Sequence, residues 1–318
     1  MHPPPATKPG WPWASLSCSL VALATPFHHG ALDESALSRL CERQVAGGSA
    51  ALVTCGSTGE GAALTVEEHR RIVAIAVEAA AGHVPVIAAC GAPCTEAAVA
   101  LAAEAARSGA AGLLCAAPPY MKPTQEGIIA HIRALAHAAD RPIMLYDVPS
   151  RAGVSITDAT VARLFESGLI AAIKDATADL ARVPRLQALC GRDLIQLSGD
   201  DATAPAYRAM GGHGCVSVTA NLVPRLCALQ HMAWDRGEQT TFERVRDLLA
   251  PLHAALFLES NPIPLKAAMN VMELCSDQVR LPLTRASAAT RDQLSAVLAE
   301  VGRAEHAWTV KPRLAAIG

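Results

Sequence analysis

Aromatic side chains are scarce in this chain, at 3% of 318 residues. The 51% that is hydrophobic is mostly Ala, Val and Leu, a mixture that favours helices packed on a sheet. Excess charge is missing as well: the formal net charge is −2, and no basic patch or like-charge run occurs. Binding to nucleic acid or to a membrane surface therefore has no electrostatic support. No apolar stretch is long enough, and free enough of turns, to span a bilayer. Residues 1–15 are rich in Pro and Trp, lack the basic start of a signal peptide, and read as a loose extension. A soluble, cytoplasmic protein is expected. Metal-ligand spacing is absent too. Cys90 and Cys94 are spaced Cys-x3-Cys with no second Cys/His pair, and the eleven histidines form no His-x3-His pair. Cys55, Cys90, Cys115 and Cys215 fall inside apolar runs, as buried thiols in a reducing compartment would.

Lysine is rare as well: beside Lys174 there are only Lys8, Lys122, Lys266 and Lys311, and arginine supplies the other cations. Lys174 ends the apolar run Leu169-Ile170-Ala171-Ala172-Ile173, which reads as a buried strand. Arginine would serve an ordinary surface ion pair. A lone amine there points to chemistry that guanidinium cannot do, because guanidinium stays protonated and is not nucleophilic. Burial favours the neutral form of an amine, which can condense with a carbonyl. The plainer alternative is a strand-end lysine paired with Asp175.

Apolar runs at 18–24, 50–55, 84–90, 112–116, 142–147, 169–174, 194–199 and 214–218 alternate with Ala-rich helical stretches. One such stretch, 65–81, carries Val66, Ile72, Val73 and Val77 at helical spacing, with Glu67 and Glu68 in its first turn. Eight βα units predict a (β/α)8 TIM barrel over 16–235, followed by a C-terminal helical extension, 236–318. A doubly wound sheet ranks below it, since no Gly-x-Gly-x-x-Gly turn follows the first strand.

In a barrel the chemistry gathers at the C-terminal strand ends. Strand 2 runs into Gly56-Ser57-Thr58-Gly59-Glu60, strand 4 into Pro118-Pro119-Tyr120, and strand 5 ends at Tyr146 with Arg151 close behind. Strand 6 ends at Lys174, strand 7 at Gly199-Asp200-Asp201, and strand 8 leads through Val216 into Ser217-Val218-Thr219-Ala220-Asn221. The glycine-hydroxyl turn can bind a carboxylate, the tyrosines can relay protons, and Arg151 can capture a second carboxylate. Each taken singly has a structural explanation as an ordinary loop or strand end. Asp200-Asp201 has no His or third carboxylate near it in sequence, and a hydrogen-bonded loop is the expectation there.

Gly56-Ser57-Thr58-Gly59-Glu60, Leu145-Tyr146-Asp147-Val148-Pro149-Ser150-Arg151 and Ile173-Lys174-Asp175-Ala176-Thr177 resemble the class I aldolase family of dihydrodipicolinate synthase and N-acetylneuraminate lyase. Leu197-Ser198-Gly199-Asp200-Asp201, Asn261-Pro262-Ile263-Pro264-Leu265-Lys266 and Arg280-Leu281-Pro282-Leu283-Thr284 extend the likeness, on the synthase side of that family. The resemblance implies a homotetramer of barrels that takes pyruvate and a small aldehyde, L-aspartate 4-semialdehyde on the synthase side, with no cofactor and no metal. It implies that Lys174 forms the Schiff base and Tyr146 centres a proton relay with Ser57. It implies that Tyr120 reaches a neighbouring subunit's site, Thr58 holds pyruvate's carboxylate, and Arg151 holds that of the aldehyde. Gly199 and Val216 would line the pocket. Two departures stand out: Ser57 replaces the synthase's threonine, as in the lyase and the keto-sugar-acid aldolases, and Asp147 replaces an asparagine, adding a negative charge beside an anion-binding site. The alternatives are another family aldolase acting on a keto sugar acid or hydroxy-keto acid, and a non-catalytic barrel that only binds a keto acid.

Overall fold

Each of the eight apolar runs becomes one strand of a closed parallel barrel. In the computed structural model, which describes Leu16 and residues 18–307, the strands are β1 (Ser19–Ala22), β2 (Leu52–Thr54), β3 (Val86–Ala89), β4 (Gly112–Ala116), β5 (Ile143–Asp147), β6 (Ala172–Asp175), β7 (Ile195–Ser198) and β8 (Gly214–Ser217). They pair in sequence order, and β1 closes the ring against β8. The extension at 1–15 lies outside the described residues. Successive strand side chains point to opposite faces. Leu20, Val53, Ile87, Leu114, Met144 and Leu197 accordingly fill the barrel interior, while Val21, Leu52, Leu113, Leu145 and Ile173 face the helices.

β5 ends at Asp147, as its apolar run does, whereas β6 reaches one residue further than its run, to Asp175; the two aspartates pair across the ladder one step beyond Tyr146 and Lys174. β6 also starts late. Leu169 still closes the preceding helix, its N–H donating to the Leu164 carbonyl at 3.0 Å.

The helices between strands are α1 (Glu34–Ala46), α2 (Val66–Ala80), α3 (Thr95–Arg107), α4 (Gln125–Ala139), α5 (Pro149–Ala152), α6 (Asp158–Glu166), α7 (Arg182–Cys190) and α8 (Ala204–Ala209), and α1, α2, α4 and α6 begin at side-chain caps. Thr65 and Glu68 form a reciprocal capping box at the start of α2 (Val66–Ala80). Thr124 caps α4 (Gln125–Ala139), which explains the threonine in that βα loop. On α2 the expected apolar face holds at Ile72 and Val73, which are buried, but Val66 is 58% exposed because it stands in the first turn, beyond the sheet. After β8 come α9 (Pro224–Asp235), α10 (Gln239–Ala255), α11 (Ile263–Val271) and α12 (Ala288–Ala307). Leu294, Leu298 and Val301 of α12 share one core with Leu249 and Leu252 of α10 and with Leu265 and Met269 of α11. Among the described residues no helix is long and apolar enough to cross a membrane.

All ten cysteines are free thiols. Cys55, Cys90, Cys115 and Cys215 are buried as expected, and burial pushes the Cys55 thiol up to about 12, so it stays protonated.

Candidate active site

Tyr146 on β5 and Lys174 on β6 are ladder partners, and both point into the barrel. The Lys174 Nζ lies 4.3 Å from the centroid of the Tyr146 ring. The lysine is 7% exposed and, among the described residues, makes no hydrogen bond or ion pair. The pairing with Asp175 does not occur. Asp175 faces outward, where its Oδ1 accepts from the Thr177 N–H at 2.9 Å and its Oδ2 lies 3.5 Å from Arg182 Nη1. Gly199 explains how a long side chain fits there. A Cβ at that position would sit 2.9 Å from Ala176 Cβ and 3.2 Å from Lys174 Cε, so glycine leaves the volume the lysine stem occupies.

The turn after β2 forms the next wall. Close backbone approach requires glycine at two of its positions: a Cβ on Gly59 would fall 3.0 Å from the Leu23 carbonyl oxygen, and one on Gly61 2.0 Å from that of Cys55. Thr58 is buried, and its Oγ1 accepts from Asn261 Nδ2 at 3.0 Å. Because that oxygen is the acceptor, the hydroxyl proton is left to donate elsewhere. The Asn261 carbonyl in turn accepts from Arg151 Nη2 at 3.1 Å. One asparagine, more than a hundred residues downstream, thus ties Thr58 to Arg151. Ser57, Tyr146, Arg151, Asn261 and Arg280 line a cleft of about 440 Å³ at this strand end.

The loops after β7 and β8 are scaffolding for that end. Asp201 accepts from the Val218 and Thr219 N–H groups at 2.8 and 3.1 Å and from the Ser217 hydroxyl at 2.5 Å. Asn221 bridges back to β1, accepting from Ala24 N–H at 3.0 Å and donating to the Ala22 carbonyl at 2.8 Å. The aspartates therefore form the hydrogen-bonded loop expected of them.

Other expected site residues fall differently. Val216 packs inside the barrel, 1% exposed, opposite Leu20. Tyr120 is 92% exposed, so its own chain does not pack it against Tyr146. Asp147 adds no free charge to the site. It faces the helices, 1% exposed, with Oδ2 2.7 Å from Arg182 Nη1, and burial raises its pKa while Arg182 opposes the rise. Strand alternation could have shown this, since a residue one step from an inward tyrosine must face out.

Lys266 was missed. It is 0% exposed, 3.1 Å from Glu60 Oε1, and it donates to the Gln278 carbonyl at 2.9 Å. Its signal was the same in kind as that of Lys174: a single amine within an apolar segment, here Ile263-Pro264-Leu265 and Ala267-Ala268-Met269. Lys174 and Thr58 stand behind the cleft lining, to which Tyr146 and Ser57 belong; an amine with no acidic partner among the described residues, beside a phenol that opens on such a cleft, can add to the carbonyl of a small keto acid.

The Dihydrodipicolinate synthetase family model matches residues 15–301. The 4-hydroxy-tetrahydrodipicolinate synthase of Rhodospirillum centenum is 47% identical over 284 residues, covering 89% of this chain and 98% of that protein. The one from Hyphomonas neptunium is 46% identical over 286 residues, covering 89% and 98%. Among solved structures, the dihydrodipicolinate synthase of Aquifex aeolicus matches with a TM-score of 0.87 at 37% identity, covering 90% of this chain and 98% of its own.

Proposed function

The chain belongs to the dihydrodipicolinate synthetase family, and from that premise we propose that it condenses pyruvate with L-aspartate 4-semialdehyde, as a 4-hydroxy-tetrahydrodipicolinate synthase does, on the route to diaminopimelate and lysine. The observation that carries this reading is Lys174, an amine inside the barrel with no ionic partner among the described residues and the Tyr146 ring 4.3 Å away.

Lys174 adds to the pyruvate carbonyl and, with loss of water, forms an iminium. A methyl proton then leaves to give an enamine, whose carbon attacks the aldehyde while the aldehyde oxygen takes up a proton. The semialdehyde's own amine displaces Lys174 and closes the ring. Tyr146, Ser57 and Tyr120 relay the protons. Thr58, whose O–H is free to donate, holds pyruvate's carboxylate with the N–H groups of its turn. Arg151, at the cleft, takes the second carboxylate through the N–H groups not spent on Asn261. Gly199 shapes the wall beside the lysine, and Val216 packs the barrel interior beneath the site.

The test is a coupled assay with both substrates, together with borohydride reduction in the presence of pyruvate. Turnover and a reduced three-carbon adduct on Lys174 are expected; an adduct on another lysine overturns the mechanism. Ser57 favours keeping the keto-sugar-acid aldolase as a second reading, and faster turnover with a sugar aldehyde than with the semialdehyde would establish it.

Tyr120 supports an oligomer. It projects 92% exposed from a left-handed backbone with φ 72°, a conformation a tyrosine rarely holds unless a contact rewards it. In a homotetramer it reaches the neighbouring site. Mixed Tyr120→Phe and Lys174→Arg subunits should then regain activity, because a hybrid pair contains one intact site. No recovery after verified subunit exchange would confine Tyr120 to its own chain. The ten free thiols suit a reducing compartment, and we assign the protein to the cytoplasm.

A further inference from the structure

Behind the wall that carries Tyr146 and Lys174 sits a buried cation that the reaction does not touch. Tyr146 and Lys174 face inward as ladder partners. The next pair, Asp147 and Asp175, ends both strands and faces outward. Arg182, at the start of α7 (Arg182–Cys190), lies against both carboxylates: its Nη1 is 2.7 Å from Asp147 Oδ2 and 3.5 Å from Asp175 Oδ2. Its Nε is 2.8 Å from Asp158 Oδ1, and its Nη2 donates to the Ile156 carbonyl at 2.6 Å. Every edge of the guanidinium is therefore engaged. Arg182, Asp147 and Asp175 are 3%, 1% and 2% exposed.

We propose that Arg182 is a positioning residue that sets the spacing of Lys174 and Tyr146 from behind the barrel wall. This role rests on the proposed function and on the physics of the two strand ends. Two carboxylates on neighbouring strands, out of water, repel each other and would pull the last ladder pair apart. The reacting pair is one residue away, so fraying at 147 and 175 reaches it directly. A planar fork held on four sides fixes both strand ends in distance and in rotation, which an ammonium on a flexible stem cannot do. Proton transfer between Tyr146 and the lysine-bound intermediate depends on that spacing, whereas taking up pyruvate depends mainly on Thr58 and its turn.

The test uses the full-length enzyme with pyruvate alone in D2O, following exchange of the methyl protons by NMR, with borohydride trapping alongside. Arg182→Lys keeps the charge and loses the fork. It should lower the exchange rate at saturating pyruvate about 10–100-fold, the scale of a small misplacement of reacting groups. Half-saturation should stay within about threefold and Lys174 should still be trapped, the signature of an interaction that matters after binding. Arg182→Met should be slower still; if it fails to fold, Arg182→Lys alone carries the test. Exchange per folded molecule equal to wild type, with only the melting temperature lowered, would make Arg182 merely structural and overturn the proposal. A rise in half-saturation at unchanged maximal exchange would overturn it too. If wild-type protein neither traps nor exchanges, the proposed function fails and takes this inference with it.

Discussion

Lys174 and Lys266 are both buried, yet their surroundings differ in the partners they offer the amine. Lys266 is the more enclosed, 0% exposed against 7%. It is 3.1 Å from the Glu60 carboxylate, bonded to the Gln278 carbonyl at 2.9 Å, and 4.6 Å from the centroid of the Phe27 ring. Burial lowers its pKa, but Glu60 pulls the other way and gives the ammonium an anion to stay with. Lys174 has the Tyr146 ring, the space left by Gly199 and, among the described residues, no acidic partner, because the neighbouring carboxylate at Asp175 is turned outward to Arg182. Burial alone would single out Lys266. Pairing separates Lys266, held as a structural ammonium, from Lys174, which we propose reacts with pyruvate.

The largest effect should come from Lys174→Arg, which keeps charge and loses nucleophilicity. Borohydride trapping with pyruvate should vanish while circular dichroism stays that of wild type. Lys266→Met should do the reverse. Trapping on Lys174 persists, but Glu60 is left buried without its cation, at a cost of about 3–5 kcal/mol in urea unfolding. Adding Glu60→Gln removes the stranded charge and retains an acceptor for the Arg280 N–H, now 2.8 Å from Glu60 Oε2. The double-mutant cycle should show coupling of about 0.5–3 kcal/mol. Additive single mutants, or an adduct that moves to Lys266, would erase the distinction.

The sequence made half of this comparison legible. The run ending at Lys174 has the strand signature, and eight such runs with helical spacers define a barrel, so the strand-end rule gathers Ser57, Tyr146, Arg151 and Lys174 at one face. Periodicity reports which way a side chain points. It says nothing of which charge meets which, when the partners are as far apart in sequence as Glu60 and Lys266, Asp147 and Arg182, or Thr58 and Asn261. Those pairings needed the three-dimensional structure. They also changed the meaning of Asp147, from a charge beside the substrates to one end of a buried clasp behind them.

Gly199→Ala asks whether the space beside Lys174 matters as much as the missing partner. The new Cβ would lie 3.2 Å from Lys174 Cε and 3.1 Å from the Asp175 carbonyl oxygen, and the latter is backbone that cannot swing aside. Overpacking of this kind costs about 1–3 kcal/mol. Moving the amine should lower turnover about 10–100-fold. The equivalent crowding is absent at Lys266, so stability loss without loss of turnover would show that Lys174 tolerates displacement and that its free volume is incidental.

The smallest effect lies beside Lys266, in the second ion pair that fastens the 261–283 segment to the barrel. Arg280 Nη2 is 2.5 Å from Glu68 Oε1, and this hydrogen bond, first among the causes, lowers the Glu68 pKa to about 2 from 4.5. A carboxyl whose folded pKa is depressed contributes its stability above the unfolded value and loses it as pH falls through the folded one. The contribution is therefore complete above about pH 4.5 and gone near pH 2. The Glu68 side chain is 22% exposed, and solvent screening holds the effect to on the order of 1 kcal/mol. Melting temperature followed from pH 6 to pH 2 should fall less steeply for Glu68→Gln than for wild type, with the two curves converging at the acid end. Parallel curves across that window would mean that Glu68 adds nothing, leaving the buried Lys266–Glu60 contact to fasten the segment without it.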